Sequence, residues 1–147
     1  MSAPYEAAGS PSGAPGGKTS LGLDSNVGAM LCYIANFVCC LGIILSIVFL
    51  VTEKEDRFVK FHAIQSLLLL GVAVVLGIVV TVLGLVLRMA LGMADLALLS
   101  IFVILGLRVI LFVIFAVIWI IAGIKAYGNQ WFKLPFIGDL ASNMVNK

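Results

Sequence analysis

Three long stretches of the chain are almost free of charged side chains. The stretches 27–51 and 67–87 contain none, and 96–124 contains only Arg108. A hydrocarbon layer about 30 Å thick is crossed by roughly 20 helical residues, and backbone groups in lipid must find their partners inside the helix. The sequence therefore predicts three transmembrane helices, over 27–51, 61–87 and 96–124.

The composition is typical of an integral membrane protein. Of the 147 residues, 63% are apolar and 11% are charged, and the mean hydropathy is +1.22. In a soluble domain roughly half of the residues are apolar and about a quarter are charged. The net charge of +2 without a basic patch argues against a nucleic-acid partner. We expect a single all-α domain whose partner is the lipid bilayer.

The two ends of the chain differ from the predicted transmembrane domain, 27–127. Residues 1–26 hold three of the four prolines and many glycines and serines, a composition that buries too little apolar area to offset its ordering entropy. They are predicted to form a disordered tail. Residues 128–147 begin with several aromatic side chains around Pro135, which indicates a segment that lies at the membrane interface.

Arg108 raises an alternative for the third stretch, a re-entrant hairpin that bends near Gly106. A central arginine costs about 3 kcal/mol on insertion, whereas the aliphatic and aromatic residues around it contribute roughly −4 to −7 kcal/mol. One continuous helix is therefore expected. An ionised group at this depth is a functional-site hypothesis, and helix lengths place Asn36 at a similar depth as its hydrogen-bond partner. A structural role, in which Arg108 only joins helices or reaches the interface, stays open.

The Lys and Arg residues predict the orientation. With three spans, the first loop and the C-terminus lie on the same side of the membrane, and this side has six Lys and Arg residues. The opposite side has two, Lys18 and Arg88. The six are Lys54, Arg57, Lys60, Lys125, Lys133 and Lys147. Because cytoplasmic loops are enriched in Lys and Arg, we expect a multi-pass protein of the cell membrane with its N-terminus outside and its C-terminus in the cytoplasm.

Two polar motifs stand out from the apolar background. The first runs from Phe58 to Ser66 and leads into the second predicted helix, and the second runs from Lys125 to Gly138 and follows the third. Together with the order of the spans, they resemble a family of small bacterial and archaeal membrane proteins of unknown function, over roughly 26–139. That family is distantly similar to the twenty-kilodalton component of the translocon at the inner chloroplast envelope. The resemblance implies a role related to protein translocation.

The motifs also have a physical interpretation of their own. His62 lies beside a predicted seam of small side chains on the second helix, so it is aimed at a neighbouring helix, where it is either a structural hydrogen-bonding group or a proton relay. The seam consists of Ser66, Ala73, Gly77, Thr81 and Gly84. The candidate functional polar positions are Arg108, Asn36, His62 and Gln65. The predicted interface anchors are Lys60, Phe61, Lys125, Tyr127, Trp131 and Pro135.

Catalytic and metal-binding patterns are sparse. The sequence shows no Ser-His-Asp set, no paired carboxylates at membrane depth and no zinc-ligand spacing, so no enzyme, cofactor or metal site is predicted. Three functions remain open: a translocation-related subunit, a non-conducting structural or assembly protein that binds a partner, and a small channel or carrier that uses Arg108 and His62. Because three helices enclose little space, the first and third require a homo-oligomer or a membrane-protein partner.

Overall fold

The computed structural model describes residues 17–38, 41–54, 56–91 and 94–145. Over these residues the chain is all-helical, apart from connecting turns and one isolated bridge between Lys18 and Asp24. The helices are α1 (Ser25–Ile34), α2 (Leu41–Thr52), α3 (Arg57–Leu91), α4 (Ala94–Tyr127) and α5 (Ile137–Val145), with a 3-10 turn at Ala35–Phe37 after α1.

The second and third predicted spans are confirmed as long apolar helices. Within α3 and α4, the segments Arg57–Ala90 and Leu98–Tyr127 are long and apolar enough to cross a membrane. Both helices extend beyond the predicted boundaries at each end. Helix α4 also continues through Arg108, which confirms that this residue does not split the third stretch into a hairpin.

The first predicted span is not one continuous helix. Helices α1 and α2 have 10 and 12 residues, and the 3-10 turn ends α1 well before α2 begins. At 1.5 Å per residue they reach only about 15 and 18 Å, short of the roughly 30 Å of a hydrocarbon core. The prediction of a single helix over 27–51 is therefore wrong, and a third transmembrane helix is not confirmed.

Helices α1 and α2 instead fold back on each other as an antiparallel pair. A Cβ atom added at Gly28 in α1 would lie 3.3 Å from the ring of Phe49 near the end of α2. At the turn, a Cβ added at Gly42 would collide with the side chain of Asn36. The glycines let the two helices approach, so the start of α1 and the end of α2 come together.

The chain forms two compact units. One combines Met1–Leu69 with Trp119–Lys147, and the other is Leu70–Ile118; we call them the terminal unit and the hairpin unit. In the hairpin unit α3 and α4 run antiparallel, and a Cβ added at Gly84 would lie only 3.0 Å from Ile104. A Cβ added at Gly77 would meet nothing within 4 Å, so the predicted seam is not a continuous packing face within the chain.

Part of the predicted disordered tail is ordered. Residues 1–16 lie outside the described residues, but the segment 17–24 forms a hydrogen-bonded turn before α1. Thr19 is buried, and its backbone N–H and side-chain hydroxyl both donate to the carbonyl of Leu23. Gly22 adopts a φ of 79° in this turn, a left-handed conformation that glycine adopts without steric cost.

Candidate functional site

The polar residues of the first motif are buried in the terminal unit. His62 and Gln65 lie three residues apart on one face of α3, and neither is exposed; the same is true of Tyr33 in α1. Gln65 Nε2 donates to Tyr33 Oη at 2.9 Å, and Tyr33 Oη lies 3.0 Å from His62 Nδ1. Because the phenol oxygen accepts from Gln65, its own hydrogen is available to His62. These three side chains join α1 to α3.

Gln65 also holds the segment that follows α4, residues 128–136, which we call the C-terminal arm. Its Nε2 donates to the carbonyl of Phe132 at 3.0 Å, and its Oε1 accepts from the backbone N–H of Leu134 at 3.3 Å. A carboxamide has two donors and one acceptor oxygen, and all three functions are used here. The two sequence motifs, far apart along the chain, therefore meet at Gln65.

Aromatic rings close the space around His62. The centroids of Phe58 and Phe61 lie 4.6 and 5.0 Å from that of His62, and Trp131 of the C-terminal arm lies 5.1 and 5.3 Å from Phe58 and Phe61. Such edge-to-face and tilted contacts are favourable for aromatic pairs. Phe61, a predicted interface anchor, has no exposed surface and contacts His62 within this cluster. Trp131 is partly buried against the same rings because the arm folds over this face of α3.

A second pair of polar residues secures the end of α1. Ser66 Oγ donates to the carbonyl of Cys32 at 2.6 Å and accepts from Asn36 Nδ2 at 2.9 Å. Carbonyls at the end of a helix lack intrahelical partners and need others, above all in an apolar setting. Asn36 and Ser66 therefore stabilise the turn that reverses the chain between α1 and α2.

The structure gives Arg108 and Asn36 different partners from the predicted ones. In the hairpin unit Arg108 Nη2 donates to Thr81 Oγ1 at 2.7 Å, whereas Asn36 in the terminal unit bonds to Ser66. The prediction paired Arg108 with Asn36 because two straight transmembrane helices would place them at a similar depth in the membrane. Because the first stretch reverses direction at Asn36, that depth estimate does not apply.

The remaining predicted anchors lie at the ends of helices. Lys60 Nζ donates to the carbonyl of Lys54 at 3.3 Å. Lys125 lies in the last turn of α4, where a positive charge interacts favourably with the helix dipole. Tyr127 is the last residue of α4 and is exposed, and Pro135 is exposed two residues before α5 begins.

Two acidic residues of the first loop bind the segment that precedes α1, a contact that the sequence analysis did not predict. Glu53, which is buried, accepts from the backbone N–H and the hydroxyl of Ser20 at 2.7 and 3.1 Å. Asp56 accepts from the hydroxyl of Ser25. It also caps α3 by accepting from the backbone N–H of Phe58 at 2.9 Å. An aspartate just before a helix commonly has this capping role.

These contacts bring three parts of the chain to one end of the terminal unit. The segment before α1 binds the first loop through Glu53 and Asp56. Asn26 Nδ2 donates to the carbonyl of Tyr127 at the end of α4, at 3.1 Å. The reversal at Asn36 brings the start of α1 and the end of α2 to this same end of the unit. The orientation expected from the Lys and Arg residues stays a prediction.

In chemical terms the buried cluster is a set of hydrogen bonds that holds elements together. Tyr33, His62 and Gln65 have no exposed surface, and Gln65 uses all its polar atoms in contacts with the protein. Within the described residues, no group of three His, Cys, Asp or Glu side chains is arranged to hold a metal ion.

Over the residues that the structure describes, the protein is all-helical, with a buried polar cluster and two apolar helices long enough to cross a membrane. The chain belongs to the magnetosome magnetite crystal formation protein family (MamF/MmsF), whose model matches residues 24–141.

Two similar proteins come from archaea. The chain is 38% identical to a UPF0132 membrane protein of Methanocaldococcus jannaschii over 125 residues, which cover 85% of this chain and 92% of that protein. It is 35% identical to a UPF0132 membrane protein of Archaeoglobus fulgidus over 124 residues, which cover 84% and 97%. No solved structure matches. The resemblance to small archaeal membrane proteins is thereby confirmed, and nothing in these names links them with chloroplast import.

Proposed function

We propose that this protein is a non-conducting structural membrane protein that helps to assemble a membrane structure by holding a partner at one face of the bilayer. The observation that carries the proposal is the burial of Tyr33, His62 and Gln65. A passage needs polar groups that face its lumen, and the prominent polar groups of the terminal unit face one another instead. Their contacts fix the C-terminal arm and α1 on α3.

The family supports the same conclusion. Its description concerns the formation of magnetite crystals in magnetosomes, which is a process of assembly, and the archaeal relatives are named only as membrane proteins. A structural role requires a rigid surface rather than a reaction centre. The hydrogen-bonded terminal unit provides such a surface in a chain for which we expect no enzymatic activity.

The proposal includes a topology with two membrane crossings. Helices α3 and α4 cross, whereas α1 and α2 enter the membrane and return on the same side. The outer face of α2 suits contact with lipid, since Ile43, Ile44 and Ile47 are exposed and apolar. Backbone groups at membrane depth need partners within the protein, and at this turn Ser66 Oγ supplies one for the carbonyl of Cys32.

This topology also makes the division of Lys and Arg residues between the two sides of the membrane more unequal than the three-span topology does. Seven of the nine Lys and Arg residues then lie on the side of the first loop and of both chain ends, and Arg88 lies near the other end of α3. The seven are Lys18, Lys54, Arg57, Lys60, Lys125, Lys133 and Lys147. By the positive-inside rule, both ends of the chain are cytoplasmic.

Reconstitution into liposomes tests the absence of a conducting path. Purified full-length protein is inserted into vesicles loaded with a fluorescent dye and a pH indicator, beside protein-free vesicles. We expect equal leakage of dye, potassium ions and protons from both. A flux that requires the protein and is lost in His62→Phe would replace the structural role with a channel or carrier.

Crosslinking in native membranes tests the assembly role. A photoreactive residue in place of exposed Phe136 on the C-terminal arm, compared with one at Val75 on α3, reports which proteins contact each surface. We expect one reproducible adduct from the arm position, either with a partner protein or with a second copy of the chain. Adducts with subunits of a protein translocon would instead support the translocation hypothesis.

A further inference from the structure

A cleft of about 260 Å³ lies between α3 and α4, entirely within the hairpin unit. Gly84 and Ser100 are buried and form its floor, whereas Thr81, Arg88 and Arg108 are exposed at its rim. The other lining side chains are aliphatic. The cleft therefore has two guanidinium groups in an apolar setting and is independent of the buried cluster of the terminal unit.

The charge of Arg108 is not balanced by a described side chain of the hairpin unit. Its hydrogen-bond partner is the neutral hydroxyl of Thr81, which itself donates to the carbonyl of Gly77 at 2.7 Å. The one acidic residue in the sequence of this unit is Asp95, which lies 13 residues and about 20 Å along α4 from Arg108. An arginine remains protonated in proteins, and an unpaired charge at membrane depth is costly. The site calls for an anion from outside the chain.

The second guanidinium lies on the same side of α3. Arg88 follows Thr81 by seven residues, which is about two helical turns and roughly 10 Å, so both side chains lie on one face. Side chains lean towards the N-terminus of their own helix. Because α3 and α4 are antiparallel, Arg88 and Arg108 lean towards each other along the cleft. Arg88 also follows the apolar stretch 67–87, at the level where hydrocarbon meets headgroups.

We propose that this cleft binds an anionic phospholipid, with the headgroup phosphate between Arg88 and Arg108. Guanidinium groups bind phosphate through paired, charge-assisted hydrogen bonds. The acyl chains extend along the aliphatic rim, where Leu85 and Leu105 are exposed.

The surroundings select a lipid over a soluble anion. The outer faces of α3 and α4 around the cleft are apolar and exposed, as shown by Val82, Val86 and Phe102, and these faces suit contact with acyl chains. A free phosphate ion reaches Arg108 only by leaving water for an apolar cleft, whereas a phospholipid brings its phosphate in from the adjacent leaflet. A net negative headgroup is favoured because two positive charges face it.

Native mass spectrometry of the full-length protein, released from detergent micelles, measures the binding of the first lipid molecule. The protein is titrated separately with phosphatidylglycerol and phosphatidylcholine, which share a phosphate but differ in net charge. We expect the first phosphatidylglycerol to bind about tenfold more tightly than the first phosphatidylcholine, since each nearby cation contributes to the attraction of acidic lipids. Inorganic phosphate at millimolar concentration should not displace it.

Three variants locate the site. Arg108→Gln keeps a donor for Thr81 but removes the charge, and Arg88→Gln removes the other charge. Each should lower the preference for phosphatidylglycerol about threefold, since the two charges together account for the tenfold preference. Lys125→Gln removes one positive charge from α4 outside the cleft and should keep the wild-type preference. Circular dichroism verifies that the helices are retained. If Arg108→Gln loses helicity, Arg88→Gln decides the matter alone.

Several results would overturn the proposal. One is equal affinity for the two lipids in the wild type, and another is an unchanged preference in the folded arginine variants. Displacement of the lipid by inorganic phosphate would show a general anion site instead. A co-purified protein that occupies the cleft and is lost in Arg108→Gln would show that a partner's carboxylate is the counterion.

Discussion

Replacing Gln65 by methionine isolates the hydrogen bonds that join the two sequence motifs. The methionine side chain is unbranched like that of glutamine and has a similar size, so Gln65→Met removes the amide while filling nearly the same space. The change deletes the bonds to Tyr33 at 2.9 Å, to the carbonyl of Phe132 at 3.0 Å and from the N–H of Leu134 at 3.3 Å. Tyr33 keeps its contact with His62, whereas the two arm groups lose a buried partner.

The expected loss of stability follows from these three bonds. A buried hydrogen bond contributes about 1 kcal/mol net, and leaving a buried polar group without a partner costs about 1–3 kcal/mol. The longest bond contributes least, and loosening of the arm lets water reach the carbonyl of Phe132. We therefore expect the free energy of unfolding to fall by about 2–4 kcal/mol.

Equilibrium unfolding in mild detergent micelles, followed by tryptophan fluorescence, measures this change. Trp131 lies on the arm beside Phe58 and Phe61, so its emission reports release of the arm. Gln130→Met is the matched control, because Gln130 lies on the same arm but is exposed; it should change stability by less than about 0.5 kcal/mol. If both variants lose the same stability, Gln65 does not secure the arm and the structural proposal loses its main support.

Further predictions concern the chain reversal and the packing of the long helices. Gly42→Ala should lower the thermal midpoint by several degrees more than Gly77→Ala in micelles, because the added methyl group collides with Asn36 only at position 42; equal midpoints would mean that the turn is looser than described. Gly84→Leu should weaken the pairing of α3 and α4 at Ile104, whereas Gly77→Leu meets open space, so that proteolysis in detergent should be faster only for the former. Topology reporters fused to the two ends of the full chain should indicate the same side of the membrane, and reporters on opposite sides would restore the three-span topology.

The sequence determined the features that depend on local properties of the chain. A long apolar stretch such as 96–124 must satisfy its backbone groups internally, and the favourable transfer of its side chains outweighs the single charge of Arg108. Two of the three predicted spans were therefore confirmed as long apolar helices. Asp56 before the first turn of α3 is a local capping signal, and the structure shows its hydrogen bond to Phe58.

The tertiary structure decided which apolar stretch forms one continuous helix and which polar groups meet. A hydropathy profile sums the contributions of the residues in a window, whatever their conformation. The sum over 27–51 is therefore the same for one continuous helix as for two helices with a reversal at Asn36. The reversal depends on a hydrogen bond to Ser66, 30 residues further along the chain. Gln65 likewise meets Phe132 and Leu134 only because α3 and α4 run back along each other. Such partners are set by packing over long sequence separations, which no local pattern encodes.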